Sequence, residues 1–66
     1  MNVYKVVIHH KHGVIVGIEY FDTKTGYQEI FGTIRIKSAS RKTIDFDQKV
    51  LALQVYHAIV TLLETE

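Results

Sequence analysis

The stretch Asp45–Glu66, DFDQKVLALQVYHAIVTLLETE, decides how the chain is read. Set on a helix at about 100° per residue, Leu51, Ala52, Leu53, Val55, Tyr56, Ala58, Ile59, Val60, Leu62 and Leu63 spread over roughly 220° of the circumference. A surface helix on a small domain needs an apolar stripe only a little over about 100° wide. Such a helix is either wrapped on several sides by its own chain or keeps part of its face for another chain. Its start is read at Asp45 as N-cap with Gln48 three residues on, a variant of the capping box. Asp47 then falls in the first turn, where the helix dipole favours a negative charge. The chain has no proline to break the pattern, and the helix is expected over about residues 46–64.

Upstream of it the period changes from helical to alternating. Val3 to His10 reads as a strand with Tyr4, Val6 and Ile8 on one face. His10-Lys11-His12-Gly13 suits a hairpin loop with a type I turn and one residue at positive φ. Val14 to Phe21 is apolar at every even position and mixed at the odd ones, as in a strand covered on both sides. Asp22-Thr23-Lys24-Thr25-Gly26 is a turn, since Asp bonds the backbone two residues on and Gly takes the left-handed region. Tyr27 to Lys37 reads as a third strand, with Ile30, Ile34 and Ile36 inward and Phe31, Thr33, Arg35 and Lys37 outward. Ser38 to Lys42 is a polar connector, and Ile44 and Phe46 alternate with Thr43 and Asp45 as a brief extended piece would. The expectation is an α+β domain: a three-stranded antiparallel meander (strands about 3–10, 14–21 and 27–37) followed by one long C-terminal helix on one sheet face.

Sixty-six residues make one domain. A chain this short buries only about 60% of its unfolded surface, and domains of this size usually add a disulfide, a metal or a partner subunit. There is no cysteine, so disulfides and thiolate metal sites are excluded. Hydrophobic residues are 47% and charged residues 23%, which removes the chain from the disordered class. One sheet face buries one side of the helix. The outer face, with Val3, Val7, Ile15, Phe21, Tyr27 and Phe31, and the far side of the helix are left over. Monomers rarely expose contiguous apolar patches above a few hundred Å². A homodimer is therefore expected, joined through Val55, Ala58, Ile59 and Leu62 of the helix or edge to edge through the first or third strand.

Net charge is +1, from 8 basic and 7 acidic residues, too balanced to predict nucleic-acid or membrane binding from the total. The opening residues lack the pattern of a signal peptide, and no apolar run approaches the ~20 residues of a membrane span. A soluble, cytoplasmic protein without membrane contact is the expectation. His9, His10 and His12 cluster at the first hairpin. His10 and His12 share a face in extended chain, but a metal needs three or four ligands, so neither a metal nor another cofactor is expected. His57 falls in the polar stripe of the helix with Gln54, Thr61 and Glu64.

Arg35, Lys37, Arg41 and Lys42 lie within eight positions, and Tyr27 and Phe31 share the outer face with Arg35. Aromatic and cationic groups so interleaved suit a protein-binding hot spot or, as the alternative, a phosphate backbone with stacked bases. No carboxylate pair is placed as general acid and base, and Ser38 and Ser40 have no elbow glycines. The four glycines are spaced as turn and strand points, so no enzyme is expected. The expectation, taken from chain size and not from any residue, is a small non-catalytic homodimer that binds a larger protein as regulator or inhibitor. Free-standing chains of this size often are such proteins, those of phages and mobile elements included. The candidate partner-binding residues are Tyr27, Phe31, Arg35, Lys37, Arg41 and Lys42.

Overall fold

The computed structural model describes residues 3–35, 37 and 39–65. Ile36, expected on the inward face of the third strand, and Ser38 of the connector lie outside the described residues. Strands β1 (Tyr4–Lys11), β2 (Val14–Asp22), β3 (Gln28–Gly32) and β4 (Ser40–Phe46) precede helix α1 (Lys49–Glu64). They form one antiparallel sheet in the order β3-β2-β1-β4. The α+β class, the antiparallel sheet and the C-terminal helix packed on it agree with the sequence reading. The sheet has four strands rather than three.

The fourth strand comes from the piece read as connector and helix start. Ile44 and Phe46 register with Val6 and Tyr4, so their alternation is completed by pairing with β1. Seven residues enter that ladder, and the capping expected at Asp45 is given up. Asp45 instead lies opposite Lys5, whose Nζ donates to Oδ1 at 3.0 Å. The helix begins at Lys49, with Gln48 as N-cap and no side-chain cap bond. Asp47 lies before the first turn. Because β4 covers β1, the sheet edges are β3 and β4, and the first strand is not free for edge pairing.

The first hairpin is tighter than expected. β1 runs to Lys11, and a two-residue turn of His12 and Gly13, both at positive φ (53° and 77°), leads into β2. That pair of angles belongs to the type I′ turn, whose twist matches the strands. The second turn is as read: Asp22 Oδ1 accepts from the Lys24 and Thr25 N–H groups at 2.9 and 3.3 Å.

β3 is short, and its faces are the reverse of those expected. Phe31 registers with Ile18 and packs on the core, whereas Ile30 registers with Glu19 on the other face and is exposed. Both residues are apolar, so periodicity alone does not choose between the two registers. After Gly32 the chain leaves the β3 edge and crosses the sheet face opposite the helix to reach β4. Gly32 sits at φ 82°, where a side chain is strained. A bulge places Val16 between the pairs His9–Gly17 and His10–Ile15. Its carbonyl oxygen accepts from the Thr33 N–H at 2.8 Å. Gly17 lies directly below this crossover. A Cβ there would press on the Thr33 carbonyl oxygen, lie 2.8 Å from its carbon and meet Ile34 Cγ2 at 2.9 Å.

The core lies between sheet and helix. Val6, Ile18, Tyr20, Ala52 and Tyr56 are buried, with Tyr4, Ile8, Phe31, Phe46, Leu53, Val55, Ile59, Val60 and Leu63 packed against them. Each fully buried aliphatic side chain contributes about 1.5–3 kcal/mol.

Gly17→Ala forces its methyl against backbone rather than against a side chain that can turn aside. Urea unfolding followed by circular dichroism is expected to show a loss of about 1–3 kcal/mol, the usual range for overpacking. A loss below about 0.5 kcal/mol, the level of an ordinary surface change, contradicts the crossover placement.

Candidate functional site

Three groups of side chains stand out once the fold is assembled. The first is on the helix. Ala52, Tyr56, Ile59 and Leu63 face the sheet, at the i, i+4, i+7, i+11 spacing of one helical stripe. A second stripe, Leu51, Val55, Ala58 and Leu62, has the same spacing and lies beside it. Val55 and Ile59 are half-buried against the core, Ala58 is exposed, and Leu51 and Leu62 are 43% and 52% exposed. The wide apolar arc thus divides into one buried stripe and one flank that the sheet does not cover. Of the four residues expected at a dimer interface, Ala58 and Leu62 lie open on that flank. Val55 and Ile59 form its inner border.

The second group is a tyrosine cluster at the β3 side of the core. Tyr20 lies 6.1 Å from Tyr27 and 6.2 Å from Tyr56, centroid to centroid, both tilted. Glu29 registers with Tyr20, and its Oε1 accepts from the Tyr27 hydroxyl at 2.8 Å. Burial, with the Glu29 charge next in weight, pushes the Tyr56 phenol up to about 12. Burial and then the Asp22 charge raise Tyr20, whose hydroxyl is buried without a hydrogen-bond partner among the described residues. Tyr27 is raised chiefly by its hydrogen bond to Glu29. These groups are held in their neutral form, which suits packing.

The third group is on the opposite face, where the crossover covers the end of the sheet. His9 is 3% exposed, and its Nε2 lies 2.8 Å from Glu19 Oε2. Glu19 Oε1 accepts from Gln28 Nε2, also at 2.8 Å. A polar chain Gln28–Glu19–His9 therefore runs across β3, β2 and β1. Above it, Arg35, Lys37 and Arg41 border a cleft of about 270 Å³ with Ile34, Ala39 and His9.

This arrangement separates the six residues read as one binding face. Arg35, Lys37 and Arg41 converge on the cleft. Lys42 registers with Ile8 and so belongs to the helix-side face. Phe31 is in the core layer. Tyr27 is tied to Glu29 and Tyr20. The aromatic–cation alternation is dissolved because Phe31 and the crossover end on opposite sides of the sheet. The metal candidates His10 and His12 sit at the end of β1 and in the exposed turn. Among the described residues no three His, Cys, Asp or Glu side chains gather as ligands to a metal ion. Glu19 and Glu29, on neighbouring strands, face opposite ways, since Glu19 registers with Ile30 and Glu29 with Tyr20. His57 is exposed, edge-on to the Tyr56 ring at 5.4 Å. The burial of His9 was not legible as a site. Its one signal is an imidazole and a carboxylate at odd positions of neighbouring strands.

Comparison with protein-family models, curated proteins and solved structures finds no match. Among the described residues no helix is long and apolar enough to cross a membrane.

The raised phenols make stability pH-dependent in the alkaline range. Between the ordinary tyrosine value near 10 and about 12, the unfolded chain loses a proton that folded Tyr56 keeps. The contribution of this phenol to stability is therefore constant below about pH 10 and falls as pH rises through that window. Urea midpoints near neutrality and near pH 11 check this, with Tyr56→Phe expected to reduce the fall. Tyr20→Phe removes a buried hydroxyl that has no partner, so its unfolding free energy is expected to stay level or rise by up to about 1 kcal/mol.

Proposed function

We propose that this chain is a small non-catalytic interaction protein that works as a two-fold homodimer, joined through the outer flank of α1. The observation that carries this reading is the stripe of exposed Leu51, Ala58 and Leu62 with half-buried Val55 at its inner border, beside the stripe that the sheet has taken. Its order also fits a second copy better than an unrelated helix. In an antiparallel pair with its axis between Tyr56 and His57, Leu51 meets the partner copy's Leu62 and Val55 meets its Ala58. Each contact is repeated by symmetry, as an isologous interface requires. The small side chain of Ala58 opposite Val55 lets the two helix axes approach at mid-contact, while the leucines close the ends.

Catalysis is no part of the proposal. Two of the polar groups that the fold assembles are already engaged, Glu19 by His9 and Gln28, and Asp22 by its turn. The dimer binds rather than transforms, and its two copies present identical outer faces.

Light scattering coupled to size exclusion is expected to give twice the 7.6 kDa chain mass. Ala58→Glu and Leu62→Glu each place a charge at the flank and are expected to return the mass to that of one chain, with helical circular dichroism retained. Thr61→Glu, on the polar side of the helix, is expected to leave the dimer intact. A wild-type mass of one chain at high micromolar concentration overturns the proposal.

A further inference from the structure

The crossover between β3 and β4 gathers positive charge over a floor that is already fixed. Arg35, Lys37 and Arg41 are exposed and border the same cleft of about 270 Å³. Among the described residues the ion pairs are Lys5–Asp45 and His9–Glu19, and neither involves these three cations. Like charges drawn together without a counter-charge favour an anion between them. No carboxylate is among the described residues that line the cleft, and Glu19, bonded to His9, has both its oxygens held, by His9 and by Gln28. Three cations against one engaged carboxylate leave the cleft positive.

The cleft is also held in shape. Arg41 is the direct cross-strand partner of His9, so it rises from the same face of the sheet. The crossover is pinned at its start by the Thr33 N–H to Val16 bond and by its seat on Gly17. Arg41 is placed by the ladder and Arg35 follows two residues after the bonded Thr33, and cations so placed lose less freedom on binding than cations on a free chain. Two guanidinium groups supply paired donors that match the oxygens of a phosphate, and the lysine adds a point charge.

We propose that this cleft binds one phosphate-class oxyanion, the terminal phosphoryl group of a small molecule. A polynucleotide track fits less well. The cation next in sequence, Lys42, is on the other sheet face, Lys5 is paired with Asp45, Phe31 packs on the core, and Tyr27, though exposed, is held by Glu29 and Tyr20. The proposal uses none of the helix-flank residues, so it stands or falls apart from dimerisation.

The test is a nuclear magnetic resonance titration of the full chain with inorganic phosphate at constant ionic strength. Saturable shifts are expected at His9, Arg35, Lys37 and Arg41, with a Kd on the order of 1 mM for the bare ion. The exposed double variant Arg35→Glu, Arg41→Glu is expected to keep its dispersed spectrum and to weaken binding at least about tenfold. Lys49→Glu, outside the cleft, is expected to bind as the wild type does. Shifts that rise linearly, or that spread equally to Lys24 and Lys49, overturn the proposal. So does saturation that survives the double variant. A fluorescent oligothymidylate forms the second arm. Its binding about a hundredfold more tightly than phosphate, with loss on Lys42→Glu, overturns the small-molecule assignment in favour of a nucleic-acid track.

Discussion

The backbone contact between Thr33 and Gly17 is the constraint on which the rest depends. A chain that has finished β3 stands at one edge of the sheet, and its next strand is at the other edge, with two strands between. The short route runs across the sheet face, and any side chain at position 17 would block it. Crossing a sheet buries peptide groups that need partners. The bulge at Val16 meets part of that need, because it turns a carbonyl out of the ladder toward the Thr33 N–H. Three local features, a glycine in a strand, a bulge beside it and a left-handed Gly32, thus act as one device.

Once the crossing is made, the position of the helix follows. β4 pairs with β1 and delivers the chain at Phe46, on the edge beside Tyr4. Two residues later the helix starts and returns over the face that the crossover leaves free. Ala52 and Tyr56 then land on Val6, Ile18 and Tyr20. The two faces of the sheet acquire opposite characters in consequence. The helix side is aromatic and aliphatic, with phenols kept neutral by burial. The crossover side has a polar chain of Gln28, Glu19 and His9 under a rim of cations.

The helix, the first two strands and the Asp22 turn were legible because each carries a local signal: a 3.6-residue period, a two-residue period, and a side chain that bonds its own backbone. β4 was half legible. Ile44 and Phe46 alternate, but Asp45, Asp47 and Gln48 also resemble a helix start, and the choice between them is made by β1, distant in sequence. Pairing with Val6 and Tyr4, together with the Lys5–Asp45 bond, outweighs a cap that is typically worth ~1 kcal/mol. The register of β3 was illegible for a related reason. Ile30 and Phe31 are both apolar, and only the length of the turn before them decides which one meets the core. That same register removes Phe31 from the face on which Arg35 was placed. The convergence of Arg35, Lys37 and Arg41 depends on a crossover that no residue pattern announces, apart from the glycines at 17 and 32.

The helix flank and the cationic cleft lie on opposite sides of the sheet. Leu51, Ala58 and Leu62 are the exposed apolar side chains of that flank, while Val50 is exposed elsewhere on α1 and Val14, Tyr27 and Ile30 outside the helix. Positive charge in excess of its ion pairs is on the crossover, beyond the far face of the sheet. The separation has a physical basis. A helix that lost its flank to the sheet would need a wider sheet than one short β3 provides, and cations next to that flank would have to be desolvated by whatever covers it, at a penalty that grows with burial. A second copy docked on the helix, as proposed, would leave both clefts facing solvent. The proposed association and the proposed anion binding draw on different residues of the chain.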